Sequence, residues 1–120
     1  MNFSSQWLRD REAREGSGDA KPCPPGLELH ILHRFVRDEC KRRGWICRYS
    51  DPTRKSTLFP AGTEDFEIMA DGGRVIRIEC KTEEGDLFPA QHEYQCWARG
   101  LGHVIHVCRS EAEILEAMGL

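Results

Sequence analysis

The chain of 120 residues contains no long hydrophobic run. Its uncharged apolar stretches are a few residues long, whereas a membrane-spanning helix needs roughly 20 such residues, so we expect no membrane span. The first ten residues lack a basic segment followed by an apolar stretch, and we therefore expect no secretory signal peptide and a cytoplasmic location. The sequence also has no glycine-rich phosphate loop, dinucleotide fingerprint or serine-hydrolase elbow.

Cysteine pairs with metal-site spacing are also missing. Six cysteines are present, but no two of them form a Cys-x-x-Cys pair. Without an export signal, we expect reduced thiols that pack as small apolar side chains in an intracellular protein. A zinc site built from Cys and His remains an open alternative, although the usual ligand spacing is lacking.

The chain has no excess of basic residues, since 17 Lys and Arg stand against 20 Asp and Glu. Nucleic-acid-binding proteins are usually basic, so this total argues against that class. The charge is unevenly distributed, however, because residues 27–55 hold eight basic residues and four acidic ones. We expect phosphate contacts from this region and binding that weakens with salt. The candidate contacts are Arg37, Lys41, Arg42, Arg48, Arg54 and Lys55.

The spacing of apolar residues predicts one α/β domain in the order α-β-β-β-α-β-α. Residues 1–26 carry four acidic and four basic residues and end in a proline cluster, which predicts a flexible or loosely docked arm before a domain at 27–120. Residues 103–108 are apolar on both faces, which is typical of a buried strand reached by a crossover helix. The remaining predictions are helices at 28–43, 89–100 and from 110, a strand at 45–49 and a long loop at 50–62.

A hairpin is predicted around the loop 71–73, because apolar and polar residues alternate on both sides of it. When the apolar faces are matched, Phe66 pairs with Ile78, and Asp65 then lies opposite Glu79. This register depends on a three-residue loop with a glycine in the left-handed conformation.

The predicted register places two carboxylates, Asp65 and Glu79, with their Cβ atoms ~5 Å apart. Like charges this close favour a cation between them, and hard oxygen ligands suit Mg²⁺ or Mn²⁺. Lys81 follows on the same face and could orient or deprotonate an attacking water. These groups together suit phosphodiester hydrolysis. The alternative is a solvated face with two ordinary cross-strand ion pairs, Asp65–Lys81 and Glu67–Arg77.

The motifs around these residues resemble the VRR-NUC family of the PD-(D/E)xK nuclease superfamily, in its small standalone form. They run from Gly62-Thr-Glu-Asp65 through Glu79-Cys-Lys81 and the following Thr-Glu-Glu-Gly-Asp-Leu87 to a helix that carries Gln91. The likeness extends over residues 28–110. Two positions depart from the family pattern: Glu64 stands where proline is usual, and Phe88 where a small polar residue is common. We expect Glu64 to face away from Asp65 and Phe88 to affect only the shape of the loop.

The resemblance implies a restriction-endonuclease-like α/β fold, with a mixed four-stranded sheet flanked by helices. Lys81 would be the catalytic lysine, Gln91 would position the lysine, water or substrate, and Glu28 would reach the site from the first helix. The implied catalytic residues are Asp65, Glu79, Lys81, Gln91 and Glu28, and the implied metal ligands are Asp65, Glu79 and the backbone carbonyl of Cys80.

The function implied by the resemblance is a Mg²⁺- or Mn²⁺-dependent DNA endonuclease that leaves 5′-phosphate and 3′-hydroxyl ends. Small standalone members resemble structure-specific enzymes that act on branched or flap DNA, often as homodimers, so we expect a homodimer. One alternative is a non-catalytic nucleic-acid-binding protein with the same fold. A second is an interaction module whose charges only solvate its surface.

Two further groups are of secondary interest. His30 and His33 lie three residues apart on the first helix and could share a metal, although a surface or groove role is expected. The aromatic residues could stack on bases, but we expect core packing for them; they are Trp45, Tyr49, Tyr94 and Trp97.

Overall fold

A computed structural model of the protein describes residues 18–50 and 59–120. Arg54 and Lys55, which the sequence predicts as phosphate contacts, lie outside the described residues. The elements follow one another in the predicted order. A π-helical turn at Leu29–His33 continues directly into an α-helix. That helix is α1 (Arg34–Arg43). The elements that follow it are β1 (Ile46–Tyr49), β2 (Phe66–Met69), β3 (Val75–Cys80), α2 (Pro89–Gly100), β4 (Ile105–Cys108) and α3 (Glu111–Ala117).

The strands form one mixed sheet in the order β1-β2-β3-β4, in which β4 runs parallel to β3 and the other pairs are antiparallel. The predicted hairpin register is confirmed, since Phe66 pairs with Ile78. A 3₁₀ turn at Asp71–Gly73 joins the two strands, with positive φ at Gly72 and Gly73. Glycine adopts this conformation at little cost, which explains the three-residue loop. A mixed four-stranded sheet flanked by helices is the predicted fold class.

The hydrophobic core lies between one face of the sheet and helices α1 and α3. Its fully buried side chains come from the π-helical turn, from the strands and from α3, as in Leu32, Phe66, Ile78 and Ile114. Helix α2 lies against the opposite face, and none of its residues is fully buried. The two faces therefore differ: one is a closed apolar core, and the other is polar and partly open.

Strand β4 differs from the prediction of a buried strand. It is the edge strand of the described sheet, and only Cys108 among its residues is buried. Helices α2 and α3 both contact β4, one on each face of the sheet. The strand is apolar on both faces because both faces carry a helix, and no other described strand pairs with its outer edge.

The described part of the amino-terminal segment, residues 18–26, lies against the domain. Cys23 is buried in the core; its N–H donates to the Arg109 carbonyl at 2.7 Å, and its carbonyl accepts from the Glu83 N–H at 2.8 Å. This segment therefore links the loop after β3 to the end of β4. A domain boundary at residue 26 stays a prediction.

All six cysteines lie among the described residues, and all six are free thiols. Four of them are buried, as expected of thiols that pack as small apolar groups. Within residues 18–50 and 59–120, every helix is too short or too polar to cross a bilayer.

Candidate metal centre

Two carboxylates meet where β2 begins and β3 ends. The backbone N–H of Asp65 donates to Glu79 Oε2 at 3.1 Å, and the backbone N–H of Cys80 donates to Asp65 Oδ2 at 2.8 Å. Asp65 directly precedes β2, one step beyond the Phe66–Ile78 pair. Each carboxylate is thus held by the backbone of the neighbouring strand, in the register that the hairpin predicts.

Glu79 is buried, with an exposed fraction of 2%. Burial raises its pKa to about 8; the charge of Asp65 acts in the same direction, and Lys81 acts against it. A group in this position ionises readily only when positive charge is brought next to it. Additional positive charge next to Glu79 would therefore favour its ionised form.

Lys81 lies next to this pair and is itself buried. Its Nζ is 3.9 Å from Glu79 Oε1 and 4.7 Å from the centroid of the Phe88 ring. The prediction that Phe88 affects only the shape of the loop is wrong, because the ring contacts the lysine ammonium. A cation over an aromatic face is stabilised by about 0.5–2 kcal/mol, so Phe88 helps to hold the lysine in place.

Gln91 connects the first turn of α2 to Glu79. Its Nε2 donates to Glu79 Oε1 at 2.8 Å, and its Oε1 accepts from the Phe88 backbone N–H at 2.8 Å. Because both ends of the amide are engaged, its orientation is fixed. Gln91 therefore orients the carboxylate.

The loop before Asp65 approaches the amino end of α2 at Gly62. This residue has a φ of +85°, and a Cβ atom added to it would lie 2.2 Å from the Ala90 carbonyl oxygen. Only glycine fits this close approach. The contact sets the spacing between the strand that follows Asp65 and the helix that carries Gln91.

His33 is a site residue that sequence reasoning missed, since a surface or groove role was expected for it. It is 2% exposed. Its Nε2 lies 3.5 Å from Glu28 Oε1 and 3.4 Å from Asp65 Oδ2, and its Nδ1 lies 2.9 Å from the Tyr49 hydroxyl. Its neighbour His30 is exposed. The sequence feature that could have indicated its place in the site is that His33 lies on the same predicted helix as Glu28.

The carboxylates around His33 raise the pKa of its imidazole. Burial by itself lowers the pKa of this imidazole, but contacts with the carboxylates of Asp65 and Glu28, together with their charges, raise it to about 9. His33, Asp65 and Cys80 each bring one ligand atom within 4.8 Å of the other two. In this group Cys80 contributes its thiol, whereas the family resemblance implies its backbone carbonyl.

Of the predicted phosphate contacts, Arg37 and Lys41 are exposed on α1. The guanidinium carbon of Arg37 lies 5.4 Å from the centroid of the Tyr49 ring. Because Tyr49 contacts His33, Arg37 lies on the side of the molecule that holds the carboxylates.

Arg42 and Arg48 face other acidic partners. The Arg42 side chain is 16% exposed, and its Nη2 is 3.5 Å from Glu39 Oε2. Arg48 Nη1 contacts Glu67 Oε1 at 3.1 Å. The structure therefore brings Arg37 next to Tyr49, pairs Arg42 with Glu39 of its own helix, and places Arg48 on the wall of a cavity that Asp65 also lines.

Glu64 has its carboxylate against Arg77 and away from the Asp65 carboxylate, as expected. It is buried, and its Oε1 lies 3.7 Å from Arg77 Nε. Arg77 Nη2 also lies 3.7 Å from Glu67 Oε2. Of the two cross-strand ion pairs in the alternative interpretation, Glu67–Arg77 is present, whereas Asp65 contacts the backbone of Cys80 and the imidazole of His33.

Comparison with known proteins agrees with this architecture. The chain is similar to a solved structure described as a "VRR_NUC domain", with a TM-score of 0.59 and 17% sequence identity over 73% of this chain and 90% of that chain. This likeness confirms the predicted VRR-NUC resemblance at the level of the fold. No model of a protein family matches the sequence, and no curated protein matches it.

Proposed function

We propose that this VRR_NUC-type fold is a divalent-metal-dependent nuclease that hydrolyses phosphodiester bonds in DNA. The observation that carries the proposal is the convergence of Asp65 and Glu79 at the strand ends, with the buried Lys81 3.9 Å from Glu79. The fold alone would not support a reaction, because one fold can host unrelated functions. The side chains present supply the argument.

The residues at the site fit a divalent cation. Two carboxylates are held next to each other, and Glu79 binds its proton more tightly than an ordinary carboxyl group does. A cation that replaces this proton removes the repulsion between the two groups. Oxygen donors suit Mg²⁺ or Mn²⁺, with Asp65, Glu79 and the carbonyl of Cys80 as proposed ligands. Such an ion, when bound, polarises the scissile phosphate and lowers the pKa of water.

The remaining groups have distinct tasks in the proposed reaction. The Lys81 ammonium stabilises the negative charge that develops on the phosphate oxygens and orients the attacking water. Phe88 restricts the position of that ammonium. Gln91 keeps one oxygen of Glu79 in a fixed direction through its 2.8 Å hydrogen bond. Glu28 reaches the site through His33, which lies between it and Asp65.

Branched or flap DNA is the proposed substrate class, on the ground of the family resemblance. Arg37, near Tyr49, and the exposed Lys41 are the described cations proposed to contact phosphates. Their contribution should weaken as salt rises, because phosphate binding releases condensed counterions.

A cleavage panel tests the proposal. The protein is incubated with duplex, flap, four-way and single-stranded DNA and with matched RNA, in Mg²⁺, Mn²⁺ or chelator, beside Asp65→Asn. We expect metal-dependent cleavage of at least one DNA, with 5′-phosphate ends, and none by the variant. If no substrate is cut, the proposal is contradicted, and retained DNA binding would then identify a non-catalytic binding protein.

A homodimer is part of the proposal, on the ground of the family resemblance. Apolar side chains at the end of α2 and just after it are well exposed, including Trp97 and Leu101, and exposed apolar surface is common at interfaces. Light scattering at micromolar concentration tests this point. A monomeric mass would contradict it.

A further inference from the structure

We propose that His33, Asp65 and Cys80 form a binding site for an ion of the Zn²⁺ or Co²⁺ class, beside the Asp65–Glu79 pair. The proposal deepens the proposed function, and it rests on that function only for the role of Asp65 as a shared ligand. Its donor set is one imidazole nitrogen, one carboxylate oxygen and one thiol sulfur within 4.8 Å of one another. Zn²⁺ favours nitrogen and sulfur donors in tetrahedral sites, whereas Mg²⁺ favours oxygen.

The first observation is the state of His33 Nε2. This nitrogen is buried, and its contacts with the carboxylates of Asp65 and Glu28, at 3.4 Å and 3.5 Å, do not have hydrogen-bond geometry. It faces Asp65 Oδ2 at 3.4 Å. Two ligands that each lie ~2.1 Å from one ion at the tetrahedral angle are ~3.4 Å apart. The spacing of the two atoms is therefore that of two ligands of a single ion.

The second observation is the way the imidazole ring is held. Nδ1 lies 2.9 Å from the Tyr49 hydroxyl, and the rings of Tyr49 and Phe66 pack edge-on against it, with centroids 5.4 Å and 5.2 Å away. A metal that binds Nε2 displaces the proton of that nitrogen, while Nδ1 keeps its own proton and donates it to the Tyr49 hydroxyl oxygen. Histidine ligands of metals are commonly oriented by such a contact at the other ring nitrogen. Tyr49 would thus orient His33 toward the ion.

The third donor is the Cys80 thiol. Its side chain is fully buried, and its own backbone N–H donates to Asp65 Oδ2 at 2.8 Å, so thiol and carboxylate are held close together. Zn²⁺ binds the thiolate and the neutral imidazole, and binding at neutral pH therefore releases the thiol proton and the His33 Nε2 proton to the buffer. The carboxylate of Glu28 is partly exposed and lies 3.5 Å from His33 Nε2, outside the group of three donors.

Sharing Asp65 has a functional consequence. An ion bound to His33 and Cys80 engages the carboxylate that the hard cation needs. If the protein is a nuclease, Zn²⁺ should therefore inhibit cleavage supported by Mg²⁺, and His33→Asn should relieve that inhibition.

The direct test measures Co²⁺ and Zn²⁺ binding without any reaction. The protein is titrated with Co²⁺, and the sulfur-to-cobalt charge-transfer band and the tetrahedral ligand-field bands are recorded. His33→Asn keeps an amide near the position of Nδ1 but has no atom at the position of Nε2. Cys80→Ser removes the sulfur. Glu79→Gln changes a ligand of the proposed Mg²⁺ or Mn²⁺ site and leaves the three donors His33, Asp65 and Cys80 in place. His30→Asn is the matched control, because His30 is an exposed histidine of the same helix.

We expect the wild-type protein, Glu79→Gln and His30→Asn to bind one Co²⁺ with the thiolate band. Cys80→Ser should lose the band, and His33→Asn should weaken binding by roughly 100-fold, the upper end of the loss seen when a group that only orients a ligand is removed. Wild-type affinity in both His33→Asn and Cys80→Ser would overturn the proposal. X-ray absorption of the Zn²⁺-loaded wild-type protein decides the question even if a variant fails to fold. One sulfur in the coordination sphere is expected, and none, or more than one, would contradict the site.

The outcomes for the two proposals are separate. Absence of cleavage with an intact thiolate band would count against the nuclease and leave this site standing. Cleavage in Mg²⁺ without any Co²⁺ thiolate band would count against this site and leave the nuclease standing.

Discussion

Glu28 and His33 are five positions apart in the sequence, yet Glu28 Oε1 lies 3.5 Å from His33 Nε2. In an α-helix of 3.6 residues per turn, side chains five positions apart point ~140° away from each other. The π-helical turn at Leu29–His33 is wider and brings both side chains to one side of the helix. Asp65 then contacts the same imidazole nitrogen. The irregular turn is therefore what connects the first helix to the carboxylates of the sheet.

Replacement of Gln91 by Met tests its role in orienting Glu79. The variant keeps a side chain of similar length but cannot donate to Glu79 Oε1. Because groups that orient a ligand commonly contribute 10–100-fold to metal affinity or activity, we expect Mn²⁺ binding, measured by calorimetry, to weaken by roughly 10-fold or more. His92→Ala, on the exposed side of the same turn, is the control and should bind as the wild type does. Equal affinity in Gln91→Met would show that Glu79 is held by other groups.

Removal of the Phe88 ring tests how Lys81 is held. The contact of the ring with Lys81 Nζ spans 4.7 Å, and a stabilisation of about 0.5–2 kcal/mol corresponds to roughly 2- to 30-fold. We expect Phe88→Ala to slow single-turnover cleavage within this range, and Phe88→Tyr to preserve the rate because it keeps an aromatic face. A loss of rate of the same size in both variants would contradict the interpretation.

A methyl group at Gly62 should disturb the site through the backbone. Its Cβ would lie 2.2 Å from the Ala90 carbonyl oxygen, in a conformation with φ at +85°. We expect Gly62→Ala to lower the free energy of unfolding by on the order of 2 kcal/mol or more, as measured by urea denaturation. At Gly100 an added Cβ meets no atom within 4 Å, so Gly100→Ala is the matched control. A wild-type midpoint for Gly62→Ala would show that the loop and α2 can separate without cost.

Stability of the metal-free protein should fall as pH rises. The folded state holds the proton of His33 up to a pKa of about 9, against 6.5 in the unfolded chain, so this stabilisation is complete below pH 6.5 and is lost as pH rises through 9. Glu79 acts in the same direction between 4.5 and about 8, because its neutral form is the favoured one in the fold. Thermal unfolding in chelator from about pH 5 to about pH 9 measures the slope.

Thermal unfolding of a Glu79 variant separates the contribution of Glu79 to the pH dependence from that of His33. Glu79→Gln mimics the neutral carboxyl group and should flatten the slope below about pH 8, while leaving the contribution of His33. Added Mn²⁺ should restore stability at high pH, since it binds the ionised carboxylates. A stability that rises with pH in the metal-free wild type would contradict the account of these charges.

The hairpin and the Asp65–Glu79 pair could be predicted because they follow from local rules. Alternation with period two fixes which residues share a face, and the glycines after Asp71 fix the loop length. Lys81 follows from the same register, two residues beyond Glu79. The residues that form this half of the site are therefore encoded in a short stretch of sequence.

The other half of the site depends on structure that local patterns do not encode. The stripe of apolar residues over 28–43 indicates a helix but not its π-helical turn, so His33 is predicted on the wrong surface. The contact of Phe88 with Lys81 depends on how α2 docks, which no spacing in the sequence determines. The edge position of β4 depends on the order of the strands in the sheet. Local sequence does not determine this order, because an apolar strand can lie at the centre of a sheet or at its edge between two helices.

Single-turnover cleavage of branched DNA by Lys81→Ala tests the central claim, that the buried lysine beside Asp65 and Glu79 takes part in phosphodiester hydrolysis. The substrate is the best DNA of the panel, at saturating protein in Mn²⁺, with Lys21→Ala on the exposed amino-terminal segment as control. Because a positioned charge of this kind contributes on the order of 100-fold or more, we predict a rate loss of that size in Lys81→Ala and a wild-type rate in the control. Cleavage by Lys81→Ala at the wild-type rate would contradict the account.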